Sequence, residues 1–92
     1  MAKIKEFNSY RITVSITTGS TYQLQSIPDS CQRVYISGYE ETREVEYDKN
    51  KKVVASSIHE NKYYVDYNTG LITFGKNLKN KSITIIYYSR ED

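Results

Sequence analysis

The feature that most constrains this sequence is an alternation of apolar and polar residues with a period of two. In the segment YRITVSI, every second residue is apolar, so four side chains share one face: Tyr10, Ile12, Val14 and Ile16. This period is typical of a half-buried β-strand. The periodic segments are rich in β-branched residues and tyrosine, and they hold little Leu or Ala, which argues against helices. The pattern therefore predicts an all-β chain.

About eight short strands can be read between turn-forming residues, which is typical of a small antiparallel β-sandwich or barrel. The chain has 92 residues, so we expect a single β-domain over 1–92. We expect an amino-terminal hairpin, in which YRITVSIT turns through TTGS into TYQLQSI. The other predicted strands lie in RVYISG, REVEYD, VVASSI, KYYVDY, LITFG and SITIIYYS.

The last predicted strand differs from the others because both of its faces are apolar. Ile83, Ile85 and Tyr87 share one face, and Ile86 and Tyr88 share the other. Such a strand is either central in its sheet or covered on its outer face by another chain. At a sheet edge it would be prone to aggregation unless a partner covered it.

The segment YYVDYNTGLITFG, residues 63–75, predicts a β-hairpin. Asn68-Thr69-Gly70 supplies a three-residue loop, with Gly70 in the left-handed position that closes a type I turn with a bulge. Asp66 stands just before the loop and is placed to accept a hydrogen bond from a turn amide.

This hairpin also resembles a known family. The pattern Y-x-V-D-Y-x-T-G-x-I-T-F, followed by I-T-I-x-Y, is similar to a β-module of virion proteins of tailed bacteriophages. Such modules occur in tail-fibre attachment domains, neck and baseplate components, and head-attached proteins. The likeness covers about residues 22–89, with a longer stretch between VYISG and KYYVDY that can hold an extra hairpin. It implies no catalytic residues.

The residues provide little catalytic or metal-binding chemistry. His59 is the only histidine and Cys31 the only cysteine, which cannot build the usual zinc site or an internal disulfide. Glu44, Glu46 and Asp48 could share a strand face, but a solvated face explains them better than a hydrolase cleft. We expect no enzymatic activity, no cofactor and no bound metal.

Charge and aromatic content favour protein contacts over nucleic acid. The net charge is +2, from 13 basic and 11 acidic residues, which is too low for general nucleic-acid attraction. A base-stacking barrel using Tyr63, Tyr64 and Tyr67 beside Lys62 remains an alternative. Ten tyrosines exceed what so small a domain is expected to bury, and tyrosine is enriched at protein interfaces.

We therefore predict a non-enzymatic structural component of a tailed-phage particle, a head–tail connector or a tail or baseplate adaptor. A head decoration protein is an alternative. The predicted partners of this protein are other copies of itself and neighbouring portal, tail or capsid proteins. The chain lacks an apolar leader and a membrane-length apolar run, so we expect assembly in the host cytoplasm and residence in the virion. The predicted contact residues are four tyrosines and four charged rim residues: Tyr63, Tyr64, Tyr87, Tyr88, Glu44, Glu46, Lys76 and Lys79.

Overall fold

The structure, a computed structural model, describes residues 9–17 and 19–89. The segment before Ser9, used above to judge whether a leader is present, and Thr18 of the predicted turn lie outside the described residues. Within those ranges the chain forms seven β-strands and one 3-10 turn at Ala55–Ser57. The strands are β1 Ser9–Ser15, β2 Thr21–Gln23, β3 Tyr35–Ile36, β4 Glu40–Glu41, β5 Lys62–Val65, β6 Leu71–Phe74 and β7 Ser82–Tyr88.

The strands form two sheets that share one core, so the all-β prediction is confirmed as a small β-sandwich. One sheet has the order β1-β7-β3 and the other the order β2-β6-β5-β4. Every pairing is antiparallel except the short parallel contact between β4 and β5. Apolar side chains from both sheets, including Ile36, Val65, Phe74 and Ile85, are fully buried between them.

The predicted amino-terminal hairpin is wrong. β1 pairs with β7, with Ile12 opposite Ile85 and Val14 opposite Ile83, whereas β2 pairs with β6 in the other sheet. The alternation correctly assigned the faces of both segments, because Ile16 and Leu24 are buried. A period of two does not specify the partner strand, and here each segment pairs with a distant strand of its own sheet.

The prediction that the last strand is central in its sheet is confirmed. β7 is the central strand of its sheet, between β1 and β3. Ile83, Ile85 and Tyr87 are buried against the other sheet, while Ile86 and Tyr88 are half-buried on the outer face.

The hairpin of residues 63–75 is confirmed, with β5 and β6 as its strands. The carbonyl of Asp66 accepts a hydrogen bond of 2.7 Å from the amide of Gly70, which adopts the predicted positive φ of 80°. The Asp66 carboxylate accepts a bond of 2.8 Å from the amide of Asn68. Local turn chemistry therefore fixes the register of this pair.

The stretch between β4 and β5 departs from the predicted strands. Residues 42–46 belong to no strand, and the VVASSI segment ends in the 3-10 turn. A single antiparallel bridge joins Tyr47 to Val53. It forms a short hairpin-like projection, residues 46–53, which we call the arm. Charged residues alternate with Val45 and Tyr47 in this stretch, and the backbone bonds of the arm are made mainly within its own turn.

Candidate interaction surfaces

Two arginines lie over tyrosine rings beside the sheet that contains β5. The Cζ of Arg33 is 4.2 Å from the ring centroid of Tyr67, and the Cζ of Arg43 is 4.4 Å from that of Tyr64. Both distances are in the range of cation–π attraction. About half of each arginine side chain is exposed, 46% for Arg33 and 52% for Arg43. The two guanidinium groups are therefore held in place yet remain accessible from outside.

Glu41 joins this pair into one network. Its Oε2 is 2.5 Å from Nη2 of Arg33 and accepts a hydrogen bond of 2.9 Å from the Tyr67 hydroxyl. Arg43 Nη1 lies 3.9 Å from the same oxygen and donates a bond of 2.6 Å to the carbonyl of Val65. Glu41 is only 15% exposed, so these contacts compensate the cost of its partial burial.

Burial keeps the central tyrosines neutral. Removal from water, together with the nearby Glu41, raises the pKa of Tyr67 to about 12, despite its bond from the Val34 amide. The pKa of Tyr63 is also raised, again chiefly by burial and then by the charge of Glu41. Near neutral pH both hydroxyls therefore act as hydrogen-bond donors to fixed acceptors, Glu41 for Tyr67 and the Val34 carbonyl for Tyr63.

The arm is stabilised mainly by its own turn. The Asp48 carboxylate accepts hydrogen bonds from the amides of Asn50 at 2.8 Å and Lys52 at 3.0 Å. The Val54 amide donates to the carbonyl of Glu46 at 2.8 Å. The Tyr47 ring is 56% exposed, and its hydroxyl lies 3.1 Å from that of Tyr64, which attaches the arm to the sheet.

A groove of about 540 Å³ separates the arm from the outer face of the sheet. Tyr64, Leu71 and Thr73 lie on the sheet side, while Tyr47 and two lysines of the arm lie on the other. The volume is within the range of ligand pockets. An exposed aromatic ring beside apolar and cationic groups is also what a docking loop of another protein would require.

In the structure, most of the four predicted contact tyrosines are buried in the domain. Tyr63 is 2%, Tyr87 3% and Tyr64 8% exposed, whereas Tyr88 is half-buried. Tyr87 stacks on Tyr10 with 5.3 Å between ring centroids. A contact role for these four tyrosines stays a prediction, and the surface available for it lies mainly on Tyr88.

The predicted charged rims are exposed, as their residue types suggest. Glu44 precedes the arm and Glu46 begins it, while Lys76 and Lys79 lie in the loop between β6 and β7. Ion pairs among residues 9–17 and 19–89 are confined to Glu41 with its two arginines. Within those ranges no ion pair neutralises either rim, and the role of these residues toward a partner stays a prediction.

The predicted contact residues omit the most accessible aromatic residues of the part of the chain that the structure describes. Tyr35 is 53% and Tyr47 56% exposed, more than any of the predicted contact tyrosines. Tyr47 is an isolated aromatic residue in a charged segment, which is a signal for exposure. The stacking of Arg33 and Arg43 had no signal in the sequence, because their partners are 21 or more positions away.

The remaining candidate groups are not assembled into a cluster. His59 and Cys31 are both exposed. Over the part of the chain that the structure describes, no group of three His, Cys, Asp or Glu side chains could hold a metal ion. No helix in that part is long and apolar enough to cross a membrane.

The chain is a small β-sandwich domain of two sheets. Its accessible surfaces include the arm and the two arginines that lie over tyrosine rings. The chain belongs to the family described as the N-terminal domain of the SPbeta prophage YomF protein, whose match covers residues 4–91. Comparisons with curated proteins and with solved structures gave no match. The family assigns the chain to proteins of phage origin.

Proposed function

We propose that this domain is a non-enzymatic structural component of a tailed-phage particle, acting as a head–tail connector subunit or as a tail or baseplate adaptor. The observation that carries the proposal is the match of residues 4–91 to a domain family of a prophage protein. The resemblance of the hairpin and β7 to virion β-modules points to the same class.

The geometry supports a role in assembly. A buried two-sheet core gives a rigid body, while the arm and the two stacked arginines present accessible groups on its surface. Tyrosine and arginine, with tryptophan, are the residue types enriched among the side chains that contribute most at protein interfaces. Tyr47, Arg33 and Arg43 are therefore the residues that we expect to touch a neighbouring portal, tail or capsid protein.

Particle composition tests the proposal. A phage carrying this gene would be grown or induced, its particles purified by density gradient, and the protein sought by mass spectrometry and gold-labelled antibody. We expect stoichiometric amounts in the particle, with label at the neck or the tail. Label spread over the capsid would instead identify a head decoration protein. Absence from purified particles would contradict a structural role.

A nucleic-acid-binding role is the second candidate, because Lys51 and Lys52 lie beside the exposed Tyr47 ring at the groove. Stacked bases next to cations are typical of single-strand binding. Asp66 lines the same groove, and Tyr63 and Tyr67 are buried, which weakens this alternative. Titration of labelled single-stranded DNA at low and high salt separates the two roles, since steeply salt-dependent binding would favour nucleic acid.

A further inference from the structure

Among residues 9–17 and 19–89, no strand pairs with one long edge of the sandwich. β1 has seven residues and lies at the edge of its sheet, next to β7. The amide of Ile16 donates to the carbonyl of Lys81 at 2.9 Å, so Ile16 and Lys81 form a hydrogen-bonded pair. In an antiparallel pair, alternate residues bond to the partner. The intervening residues therefore direct their amides and carbonyls away from β7: Ser9, Arg11, Thr13 and Ser15.

The core-facing side of the same strand is incompletely covered. Tyr10 is 38% exposed, and Ile12 and Val14 are half-buried although they pack against the core. Within residues 9–17 and 19–89, no strand lies beyond β1 to cover this row. An open edge that also exposes apolar side chains is a template for strand addition.

We infer that β1 pairs antiparallel with β1 of a second copy of this chain, around a two-fold axis at Ile12. The inference rests on the proposed structural role and names one partner in it. Two three-stranded sheets would join into one continuous sheet of six strands, and the open edge would disappear. The interface is isologous, as closed two-fold dimers require.

The register follows from the free backbone groups. With the axis at Ile12, all seven residues of β1 are paired, with Arg11 opposite Thr13 and Ser9 opposite Ser15. These are the residues whose amides and carbonyls point outward, so each such pair can exchange two hydrogen bonds. An axis at Arg11 would place two like charges directly opposite each other, which is destabilising. An axis at Thr13 would require pairing beyond the end of β1.

The side chains are complementary in this register. Ile12 meets Ile12 of the second copy in a non-hydrogen-bonded pair, where Cα atoms are about 4.5 Å apart. Tyr10 lies opposite Val14, so a large ring faces a small β-branched side chain. Aromatic and β-branched residues are favourable cross-strand pairs. Arg11 is the only charged residue within residues 9–17, and it lies on the outer face.

A charge exchange at Thr13 tests the pairing. Thr13→Glu places a carboxylate opposite Arg11 of the second copy, and Thr13→Lys places a second cation there. Thr13 is exposed on the outer face, and both substitutions remove the same hydroxyl contact of 3.2 Å to Thr84, so the two variants are matched in what the single chain loses. Because of the two-fold symmetry, each substitution changes two pairs, residue 13 of each copy with Arg11 of the other. We expect the dimer dissociation constant to fall roughly two- to thirty-fold for Thr13→Glu and to rise similarly for Thr13→Lys.

Sedimentation equilibrium over a range of concentrations measures these constants, with thermal unfolding of each variant as the check on folding. A native protein that stays monomeric at millimolar concentration overturns the inference. So does self-association that responds equally to both substitutions or to neither. Such results leave the virion role intact, because incorporation into particles is measured separately.

A cross-link tests the register itself. In a Cys31→Ser background, Ile12→Cys brings two thiols across the axis within the Cα separation that a disulfide accepts. Thr13→Cys in the same background does not face itself and is the matched control. Oxidised glutathione should yield a covalent dimer for Ile12→Cys well in excess of the control. Equal yields, or a higher yield for the control, overturn this register.

Discussion

The hydroxyl of Tyr67 connects the core to the charged surface, because it donates a hydrogen bond of 2.9 Å to Glu41 and accepts one of 3.0 Å from the Val34 amide. Tyr67 is 8% exposed, while Glu41 also pairs with Arg33 above the ring. The network that presents the arginines therefore depends on a buried residue of the hairpin.

Tyr67→Phe should destabilise the domain by about 1–3 kcal/mol, because it leaves the buried Val34 amide without its acceptor and removes a donor to Glu41. Urea unfolding followed by circular dichroism measures this loss. Tyr35→Phe is the matched control, since Tyr35 is 53% exposed, and it should change the free energy of unfolding by less than about 0.5 kcal/mol. Equal effects of the two substitutions would contradict the proposed role of the Tyr67 hydroxyl.

Stability should fall in alkali. The folded-state pKa of Tyr67 is raised to about 12 by burial, above the ordinary tyrosine value of 10.0, so folding favours the neutral form. Its contribution is therefore fully present below pH 10 and is lost as the pH rises from there toward 12. The ionisation of Tyr67 should lower the free energy of unfolding by about 1.4 kcal/mol per pH unit between pH 10 and pH 12.

Urea unfolding between pH 8 and pH 12, together with absorbance of the phenolate, would measure this decline. Tyr67→Phe should have a shallower decline than the native chain, because one of the buried hydroxyls is gone. An unchanged slope in the variant would show that other groups control the alkaline transition.

Gly75→Ala should be severely destabilising. A Cβ atom at Gly75 would lie 2.0 Å from the His59 carbonyl oxygen and 2.6 Å from that of Ile58, both of them backbone atoms. Backbone of the neighbouring segment must move to admit a methyl group, at a cost of about 3 kcal/mol or more. Thermal unfolding measures the loss.

Gly38→Ala is the comparison for this test. Gly38 has a φ of 86°, but nothing lies within 4 Å of the place that a methyl group would occupy, so only conformational strain of about 1–2 kcal/mol is expected. If both glycine substitutions have the same effect, close backbone approach is not the reason for glycine at 75.

Two aspartates with the same local hydrogen bond should differ in their effect. Asp48→Ala removes the acceptor for the Asn50 and Lys52 amides, so exchange of amide hydrogens in the arm should accelerate about five-fold. Global stability should change by less than about 0.5 kcal/mol, since the arm buries little of the core.

Asp66→Ala removes the equivalent acceptor from the turn of the central hairpin and should reduce global stability by about 1 kcal/mol. Hydrogen–deuterium exchange and urea unfolding of both variants separate local from global effects. Global destabilisation by Asp48→Ala would show that the arm is part of the cooperative core.

Local chemistry accounts for the elements that were predicted correctly. Asn68-Thr69-Gly70 specified the hairpin, because a positive φ at Gly70 and the Asp66 side chain act within six residues. The two apolar faces of β7 predicted either a central strand or an outer face covered by another chain, and the structure has β7 in the centre of its sheet.

The features that the sequence did not predict have a common cause, because they depend on contacts between segments that are far apart along the chain. The amino-terminal hairpin failed because β1 finds its partner about seventy residues away. Three of the four tyrosines predicted as contacts are buried, and the hydroxyl of one of them, Tyr63, donates to the Val34 carbonyl from a distant segment. The sequence shows that a tyrosine has a hydroxyl to satisfy, but not which segment will satisfy it.

By itself, the sequence determined six of the seven strand segments, the face of each that is apolar, and the turn of the central hairpin, since these depend on neighbouring residues. Only the tertiary structure decided which strands pair, which tyrosines are buried, and that Arg33 and Arg43 lie over Tyr67 and Tyr64. Those outcomes depend on how two sheets pack across a core. A pattern of period two fixes the face of a side chain but leaves its partner open.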